Sequence, residues 1–430
     1  MLPLWFLVFE LHNVSRLWAP YSLVIVLATL GVLCIFVRQR MRDAEFSIVV
    51  ANILIVLYIL VVDMMRNDAL PSVTGVIRLA SPFVAMIAFA LSLRSLTDLR
   101  NVALVFVAVV LMASGSIFVQ VLTGPISWFA ESSERAGLPR YASLLGSLTA
   151  FGVAAPFALI CLARYARSSV VFWSGTSVLL VAAAMSLQKA ALLGVAIAIP
   201  ICAMLLPRKV SIRGVVVVSA LLLIASFGVP SQLRDYGSVA WSLFTDADFE
   251  TGDVSVSASL VDRLTSLPAE VLSYHGPSRL IFGVGMRGGA GVFGFDELPM
   301  AHNALVDWLA IGGVVLFSYG LWIIYELIAI VGVSHRLVKS EHESKRDAVF
   351  LSGLAILYLA NLPFSSGVEF HPSTCWVPAA LISFRYRLWK KSGPGWHDRS
   401  QLRVYKPIGD LTPSEVAILG GKGDAEAPEL

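Results

Sequence analysis

The sequence predicts an all-α protein that crosses a membrane many times. Of its 430 residues, 57% are hydrophobic and only 14% are charged, and the mean hydropathy is +0.78. A soluble domain carries about 25% charged residues and could not bury so much apolar side chain. With 32 glycines, 20 prolines and 4 cysteines, the composition excludes a collagen-like chain, a disordered chain and a disulfide scaffold. The net charge of +3 gives no indication of nucleic acid as a partner.

Apolar segments recur along the chain, and a helix needs about 20 residues to cross a bilayer core of about 30 Å. We predict eleven spans, at 17–37, 46–62, 75–93, 101–122, 141–163, 170–186, 190–206, 214–229, 303–331, 348–363 and 373–384. The segments 170–186 and 190–206 form one apolar block, which as a single helix would be about 55 Å long. Because that is too long for one crossing, we expect two crossings with a turn at Leu187, Gln188 and Lys189.

Positive charge alternates between successive loops. Cytoplasmic loops of membrane proteins carry an excess of Lys and Arg. One set of alternate short loops holds fourteen such residues: Arg38, Arg40, Arg42, Arg94, Arg100, Arg164, Arg167, Arg208, Lys209, Arg213, Arg336, Lys339, Lys345 and Arg346. The opposing loops hold four: Arg66, Arg135, Arg140 and Lys189. The bias predicts an external N-terminus and a cytoplasmic C-terminus.

The spans and loops divide the chain into four regions. Residues 1–229 hold about eight spans, 230–301 form one large external loop, and 302–391 hold about three spans; 392–430 form a small, polar tail that we expect to be cytoplasmic and disordered. A long external loop in a protein of tight turns is a common place for function. Within it, the apolar spacing of 259–274 predicts a short amphipathic helix on the membrane face. Pro268 either kinks this helix or begins a second segment.

Gly283, Gly285 and Gly288 in this loop match the pattern G-x-G-x-x-G. A dinucleotide site would need a strand before the pattern, a helix after it and a βαβ unit around it. An external loop between membrane helices offers none of these. We therefore interpret the glycines as a tight turn that lets the backbone approach another helix or a ligand.

His302, Asn303 and Asp307 lie where the external loop enters a span. Asn303 suits a helix N-cap, and Asp307 complements the positive end of the helix. These structural roles do not account for His302, a titratable group at the membrane face. Capping and catalysis remain open as alternatives for this segment.

Three further external segments carry cations. Each has a structural alternative: Arg263 could form a surface ion pair with Asp262 worth about 0–1 kcal/mol. Lys189, Arg135 and Arg140 could anchor helix ends at the membrane surface. Because guanidinium and ammonium groups bind phosphate oxygens, their recurrence on a face otherwise poor in cations indicates an anionic ligand, such as a lipid pyrophosphate.

In their order, these segments resemble the O-antigen ligase and O-antigen or exopolysaccharide polymerase family. The shared features are an Arg-Tyr-x-Ser-Leu-Leu-Gly-Ser segment from Arg140, a Ser-x-x-Lys-Ala-Ala turn from Ser186, an Arg-bearing helix in one large loop, a Phe-Gly-Val-Gly turn ending at Gly285, and an Ala-His-Asn entry at His302. The resemblance covers about 135–321, under half of the chain.

Members of that family transfer a glycan from undecaprenyl pyrophosphate to a sugar hydroxyl on the periplasmic side of the inner membrane. The resemblance implies that His302 activates or orients the acceptor hydroxyl and that Arg263 binds the departing pyrophosphate. Arg135 or Arg140 would be a further pyrophosphate contact. Lys189 stands where family members usually carry Arg, so the charge is kept but the bidentate geometry is lost. The supporting residues would be Asn303, Asp262, Gly283 and Gly285.

From this resemblance we expect a polymerase that joins lipid-linked oligosaccharide repeats in exopolysaccharide or O-antigen synthesis. The reaction would be of the inverting glycosyltransferase type, and we expect it to use no metal or other cofactor. Its partners would be the undecaprenyl-pyrophosphate-linked donor, a glycan acceptor, membrane lipids, and a flippase and chain-length regulator. One alternative is a ligase that passes the glycan to lipid A–core or to protein. Another is a transporter of an anionic solute, kept open by Asp63, Gln120 and Glu326 near spans.

Overall fold

The computed structural model describes residues 43–67, 73–93, 95–126, 132–135, 137–145, 150–206, 235–236, 238–239, 266–285, 303–337, 342–363 and 374–392. Met1–Leu388 form one compact unit and Trp389–Leu430 a second. Of the second unit, only the end of the last helix is among the described residues. The predicted spans 17–37 and 214–229, and nearly all of the predicted tail, lie outside them.

Helices account for 87% of the described residues, which confirms a mostly helical fold. In chain order, the helices are α1 (Asp43–Asn67), α2 (Val73–Ser92), α3 (Leu96–Thr123), α4 (Ala150–Tyr165), α5 (Ser169–Met185), α6 (Lys189–Leu205), α7 (Ser266–Phe282), α8 (Ala304–Leu337), α9 (His342–Asn361) and α10 (Trp376–Ser392). Between α3 and α4, the strands β1 (Ser132–Arg135) and β2 (Leu138–Tyr141) form an antiparallel hairpin. The prediction of an all-α fold missed this hairpin.

Three of the described helices are long and apolar enough to cross a membrane: Glu45–Met65 in α1, Leu96–Thr123, and Ala304–Ser334 in α8. Four shorter apolar helices accompany them: Ala80–Ser92, Ala150–Tyr165, Ser169–Met185 and Ala191–Leu205. A 17-residue helix is about 25 Å long, somewhat less than a typical bilayer core. The long apolar helices are those of a membrane protein.

The distribution of side chains supports this class. On α1, the apolar side chains of Leu54, Leu57 and Met65 are 59%, 54% and 76% exposed, whereas the polar Asn52 on the same helix is fully buried. Asn52 accepts a hydrogen bond from the Tyr319 hydroxyl of α8 at 2.9 Å. Apolar residues outside and paired polar residues inside suit a surface that faces lipid.

Helix α4 lies at the centre of the bundle, and every residue from Ala150 to Ala163 is buried. Helix α6 runs beside it in the same direction. The contacts that show this are, in order along both helices, Gly152 with Ala191, Pro156 with Gly194, and Leu159 with Cys202. Small residues at these positions let the two helix backbones lie close together, as is common in membrane helix pairs.

The apolar block 170–206 is two helices, as its length and flanking charges predicted. Helix α5 ends at Met185 and packs back on α4, where Gly175 lies against Leu162. Because α6 runs parallel to α4, the chain reverses direction between α5 and α6. Residues Ser186 to Gln188 make the turn, with Leu187 in the left-handed region at φ 50°. Lys189, predicted to lie in the turn, is the first residue of α6.

The two ends of the bundle differ in their contacts. At one end, which we call the basic end, the Arg164 Nε donates to Asp347 Oδ1 at 3.1 Å, and Arg346 donates to the carbonyl of Leu205 at 3.1 Å. These residues belong to the loops that the charge bias assigns to the cytoplasm. The opposite end, which we call the rim, holds the turn at Ser186 to Gln188.

The start of α8 also lies at the rim. Helix α9 runs antiparallel to α6, because Arg346 near its start contacts Leu205 and Leu357 near its end lies beside Gly194. The residue after α9, Leu362, accepts a hydrogen bond from the Ala304 amide at 2.9 Å. The loop turns predicted to be external therefore meet at one end of the described bundle.

Helix α8 is broken near its start, at Gly312 (φ −121°, ψ 15°) and Gly313 (φ 58°, ψ −155°). A Cβ on Gly320 would lie 2.8 Å from Cδ2 of Trp308, so the indole ring packs directly on this glycine. Positions 308 and 320 would be about 18 Å apart along a straight helix. Residues 304–311, which we call the entry segment, therefore lie off the axis of the rest of α8.

This break corrects the predicted span 303–331. The continuous helix begins after Gly313 and reaches Leu337, and the entry segment does not extend it. The predicted span 141–163 is also wrong at its start, because α4 begins only at Ala150 and Tyr141 ends β2. The remaining spans that fall on described residues coincide with helices, with ends that differ by several residues.

Gly194 offers a test of the close packing between α4 and α6. A Cβ at this position would lie 2.6 Å from Cγ of Pro156, and a proline ring cannot rotate aside. We expect Gly194→Ala to destabilise the protein by about 1–3 kcal/mol through overpacking, measured as a lower thermal midpoint in detergent. The control is Gly115→Ala on α3, where no atom lies within 4 Å. Equal midpoints for the two variants would contradict the packing described.

Candidate functional site at the rim

Arg140 and the turn at Ser186 to Gln188, two of the predicted external segments, meet at the rim. Arg140 lies on β2, and its Nε donates a hydrogen bond to the Ser186 carbonyl at 3.2 Å. The Ser186 hydroxyl donates to Ala183 O at 2.7 Å, which fixes the turn to the end of α5. The guanidinium is thus positioned next to the start of α6, and the two segments form one site.

Helix α3 holds the chain that follows β2. The fully buried Gln120 donates from Nε2 to the carbonyl of Ala142 at 2.8 Å, and Ser116 Oγ accepts from the amide of Leu144 at 3.1 Å. These side chains bind backbone groups that a helix would otherwise pair, which explains why α4 does not begin at Tyr141. From the sequence, Gln120 was noted only as a polar residue near a span. The feature that could have indicated its role is a side-chain amide within an otherwise apolar helix.

Tyr236, from the beginning of the large loop, also contacts the hairpin. Its hydroxyl donates to the carbonyl of Pro139, next to Arg140. Burial, and to a lesser extent the neighbouring Tyr141, raises the pKa of Tyr236 to about 12. The hydroxyl therefore stays protonated and remains a donor throughout the physiological range. Nothing in the sequence pattern distinguished Tyr236 from other tyrosines.

Lys189 is the first residue of α6, so it lies at the positive end of a helix. The residue before it, Gln188, is buried and lies against Gly152 at the start of α4. A lysine at a helix N-terminus adds to the positive potential of the free amide groups, which is unfavourable unless an anion lies nearby. Arg140 and the N-terminus of α6 therefore lie close together at the rim.

Asn303 caps the entry segment, as predicted. Its Oδ1 accepts from the Leu305 amide at 3.1 Å, and its carbonyl accepts from the Asp307 amide at 2.9 Å. Asn303 and Asp307 are 8% and 6% exposed, so both lie inside the protein. The capping role of Asn303 is therefore structural, and His302 directly precedes this cap in the sequence.

The predicted amphipathic helix 259–274 is described only from residue 266 onwards, and there α7 continues beyond the predicted end to Phe282. Helix α7 runs from Ser266 to Phe282, with Pro268 in its first turn, where proline is tolerated. The break lies at Gly276, with φ 68° and ψ 164°, directly before Pro277. Of the two predicted roles for Pro268, a kink or the beginning of a segment, the position in the first turn of α7 agrees with the second, and the interruption of the helix lies at Gly276.

Helix α7 packs on the entry segment of α8. Val271, which is 4% exposed, contacts Ala310 and the partly buried Val306. Arg263 precedes α7 by three residues, and His302 precedes the entry segment by two. The elements that follow these two candidate residues are therefore in direct contact.

The turn after α7 lies against the break in α8. Gly283 and Gly285 have φ of 84° and 76°. A Cβ on Gly283 would lie 2.7 Å from the amide nitrogen of Gly313, and one on Gly285 would lie 2.9 Å from Cα of Asp63 on α1. The prediction that these glycines permit close approach to another helix is confirmed.

The predicted site residues are thus placed to different degrees. Arg140, Asn303, Gly283 and Gly285 are described with their contacts. For Lys189 and Arg135 the backbone alone is described, and Arg135 pairs with Leu138 in the hairpin. Three predicted residues lie outside the described ranges: His302, Arg263 and Asp262.

Within the described ranges, no group of three or more His, Cys, Asp or Glu side chains is arranged to hold a metal ion. No protein-family model matches the chain, and no match appears among curated proteins. The fold defines a mostly helical membrane protein, and its rim holds Arg140 and the beginning of α6 at Lys189.

Proposed function

We propose that this protein is a polysaccharide polymerase that joins undecaprenyl-pyrophosphate-linked oligosaccharide repeats at the periplasmic face of the inner membrane. The observation that carries the proposal is the packing of α7 on the entry segment through Val271 and Val306. These elements follow Arg263 and His302, the residues that the family resemblance makes the pyrophosphate ligand and the catalytic base. Their contact favours one site that contains both residues.

The positive charge at the rim supports an anionic donor. Arg140 reaches the turn before α6, and Lys189 begins that helix. A pyrophosphate would compensate both cations and the helix N-terminus, since phosphate oxygens accept several charge-assisted hydrogen bonds at once.

In the proposed reaction, the bond between the anomeric carbon of the donor glycan and its phosphate oxygen breaks. A bond forms from that carbon to the acceptor hydroxyl oxygen on the opposite face, which inverts the carbon. His302, as a neutral imidazole, accepts the hydroxyl proton. The pyrophosphate leaves with the bonding electron pair, and Arg263 with the rim cations stabilises its charge. The proposed reaction requires no metal.

We place the rim in the periplasm and the basic end in the cytoplasm, with the C-terminus cytoplasmic and the N-terminus periplasmic. The support is the bias of Arg and Lys toward one set of alternate loops. Arg164 and Arg346, which belong to that set, lie at the basic end. Arg140 and Lys189, from the opposing set, lie at the rim.

The contacts of three polar residues weigh against a transporter of an anionic solute. Gln120 binds the chain after β2, Glu326 pairs with Arg385, and Asp63 lies against Gly285 at the rim. Each of these residues has a structural contact, whereas a transporter would need polar groups free to bind solute near the midplane. A ligase shares the donor chemistry with the polymerase and is distinguished by its acceptor.

His302→Ala should abolish long polymer, with a loss of at least about 100-fold, because the acceptor hydroxyl loses its base. The measurement is the chain length and lipid-linked intermediates in cells that express the variant at normal levels. Single repeats that accumulate on lipid would support a polymerase, whereas long uncapped polymer on lipid would identify a ligase instead. The matched control is His335→Ala, near the other end of α8. Normal chain lengths in His302→Ala, with no polymer or single repeats retained on lipid, would remove this residue from the mechanism.

Arg263→Ala should reduce polymer formation by about 10- to 100-fold, the usual value of a hydrogen bond to a charged group. Arg263→Lys should retain more activity, because the charge survives without the bidentate geometry. The two variants are compared at equal amounts in membranes that contain the lipid-linked donor. Equal losses would argue against a contact with phosphate.

Reporter fusions test the proposed orientation. A reporter that is active only in the periplasm should be active when inserted within 230–301 and silent when placed after Arg336, because the chain crosses the membrane between these sites. Immunoblots of each fusion give the control for expression. The reverse pattern of activity would invert the topology.

A further inference from the structure

We propose that Gly283, Val284 and Gly285, together with Tyr58 and Gly313, form a latch that holds the entry segment of α8 in one orientation and thereby positions His302. In this respect the inference rests on the proposed function, which makes His302 the catalytic base. The latch itself rests on contacts among described residues of α1, α7 and α8. Tyr58 and the glycines are positioning residues and act through the entry segment.

The first contact of the latch is between two backbones. A Cβ on Gly283 would lie 2.7 Å from the amide nitrogen of Gly313, and a Cβ on Gly313 would lie 2.7 Å from the amide nitrogen of Gly283. Both residues have positive φ, at 84° and 58°. Neither the space nor the backbone conformation suits another residue, so the turn and the helix break fit each other only as glycines.

Two hydrogen bonds close the latch. The interruption at Gly312 and Gly313 ends the helical pairing of the preceding turn, whose carbonyls then need other donors. The Val284 amide donates to one of these, the Ala310 carbonyl, at 2.9 Å. The Tyr58 hydroxyl of α1 donates to the Phe282 carbonyl, directly before the turn, at 2.9 Å. The turn is thus bonded to the entry segment on one side and to α1 on the other.

The entry segment needs such a restraint because it is joined to the rest of α8 through two consecutive glycines. Glycine gives the backbone the widest choice of conformations, so Gly312 and Gly313 are a natural hinge. The ring of Trp308, in the entry segment, packs on Gly320 in the continuous part of α8. The amide of Val284, in the turn after α7, donates to the carbonyl of Ala310 in the entry segment. With both contacts made, the entry segment up to its cap at Asn303 is held in one orientation.

The latch also couples the two halves of the proposed site. Helix α7 begins near Arg263 and ends at the latch, and between these points Val271 packs on Val306 of the entry segment. A donor bound at Arg263 and an acceptor bound at His302 would therefore contact elements that are connected by one set of short contacts. If the latch were released, the donor would still bind but turnover would fall.

The test uses the full chain in lipid nanodiscs and two variants. Tyr58→Phe removes the hydroxyl that binds Phe282 and keeps the ring, and Gly313→Ala introduces a Cβ into the backbone contact. The matched control for the second is Gly332→Ala, on the same helix with no atom within 4 Å. Hydrogen exchange, followed by mass spectrometry, should be about 10-fold or more faster at 283–285 and 304–311 in Tyr58→Phe and Gly313→Ala than in Gly332→Ala, because the restraining bonds are lost. Peptides from α4 and α6 should exchange at an unchanged rate.

Polymer formation from lipid-linked repeats gives the second readout. Since a misplaced base impairs the chemical step more than donor binding, kcat should fall by about 10-fold or more while KM changes by less than about twofold. Unchanged exchange in both variants would overturn the latch. Faster exchange with unchanged kcat would overturn its role in positioning His302. If His302→Ala proves fully active, the proposed mechanism fails while the exchange rates still decide whether the latch exists.

Discussion

Two glycine backbones, at positions 283 and 313, lie so close together that neither has room for a Cβ. This contact joins the turn after α7 to the broken start of α8, and the packing of α7 on the entry segment depends on it. Val284 and Tyr58 add hydrogen bonds on either side. As a result, α7 lies along the entry segment, and the elements next to Arg263 and His302 form one packed unit.

Irregular backbone near lipid requires internal hydrogen-bond partners, because the bilayer core supplies none. Two places at the rim meet this requirement in different ways. At the break in α8, a backbone amide from the loop pairs with the Ala310 carbonyl. After β2, the side chain of Gln120 pairs with the Ala142 carbonyl. These two hydrogen bonds let the chain leave helical geometry at the rim, while the rest of each helix stays regular.

Several features of the site follow from local sequence and are confirmed. The cap at Asn303 and the close approach permitted by Gly283 and Gly285 depend on residue types within one or two turns of the chain. The start of α4 and the break in α8 could not be predicted in this way. The first depends on Gln120, more than 20 positions upstream, and the second on a loop turn that precedes the break by about 30 residues.

The sequence by itself determined that the chain is a helical membrane protein, that its apolar block at 170–206 is two helices, and that its basic loops alternate. Hydropathy, helix length and charge are properties of each segment, so they need no knowledge of its neighbours. Only the tertiary structure decided that Arg140 reaches Ser186 and that Gly283 meets Gly313. Such contacts join segments 30 to 46 positions apart, and they form only when the intervening helices pack with one particular spacing and direction.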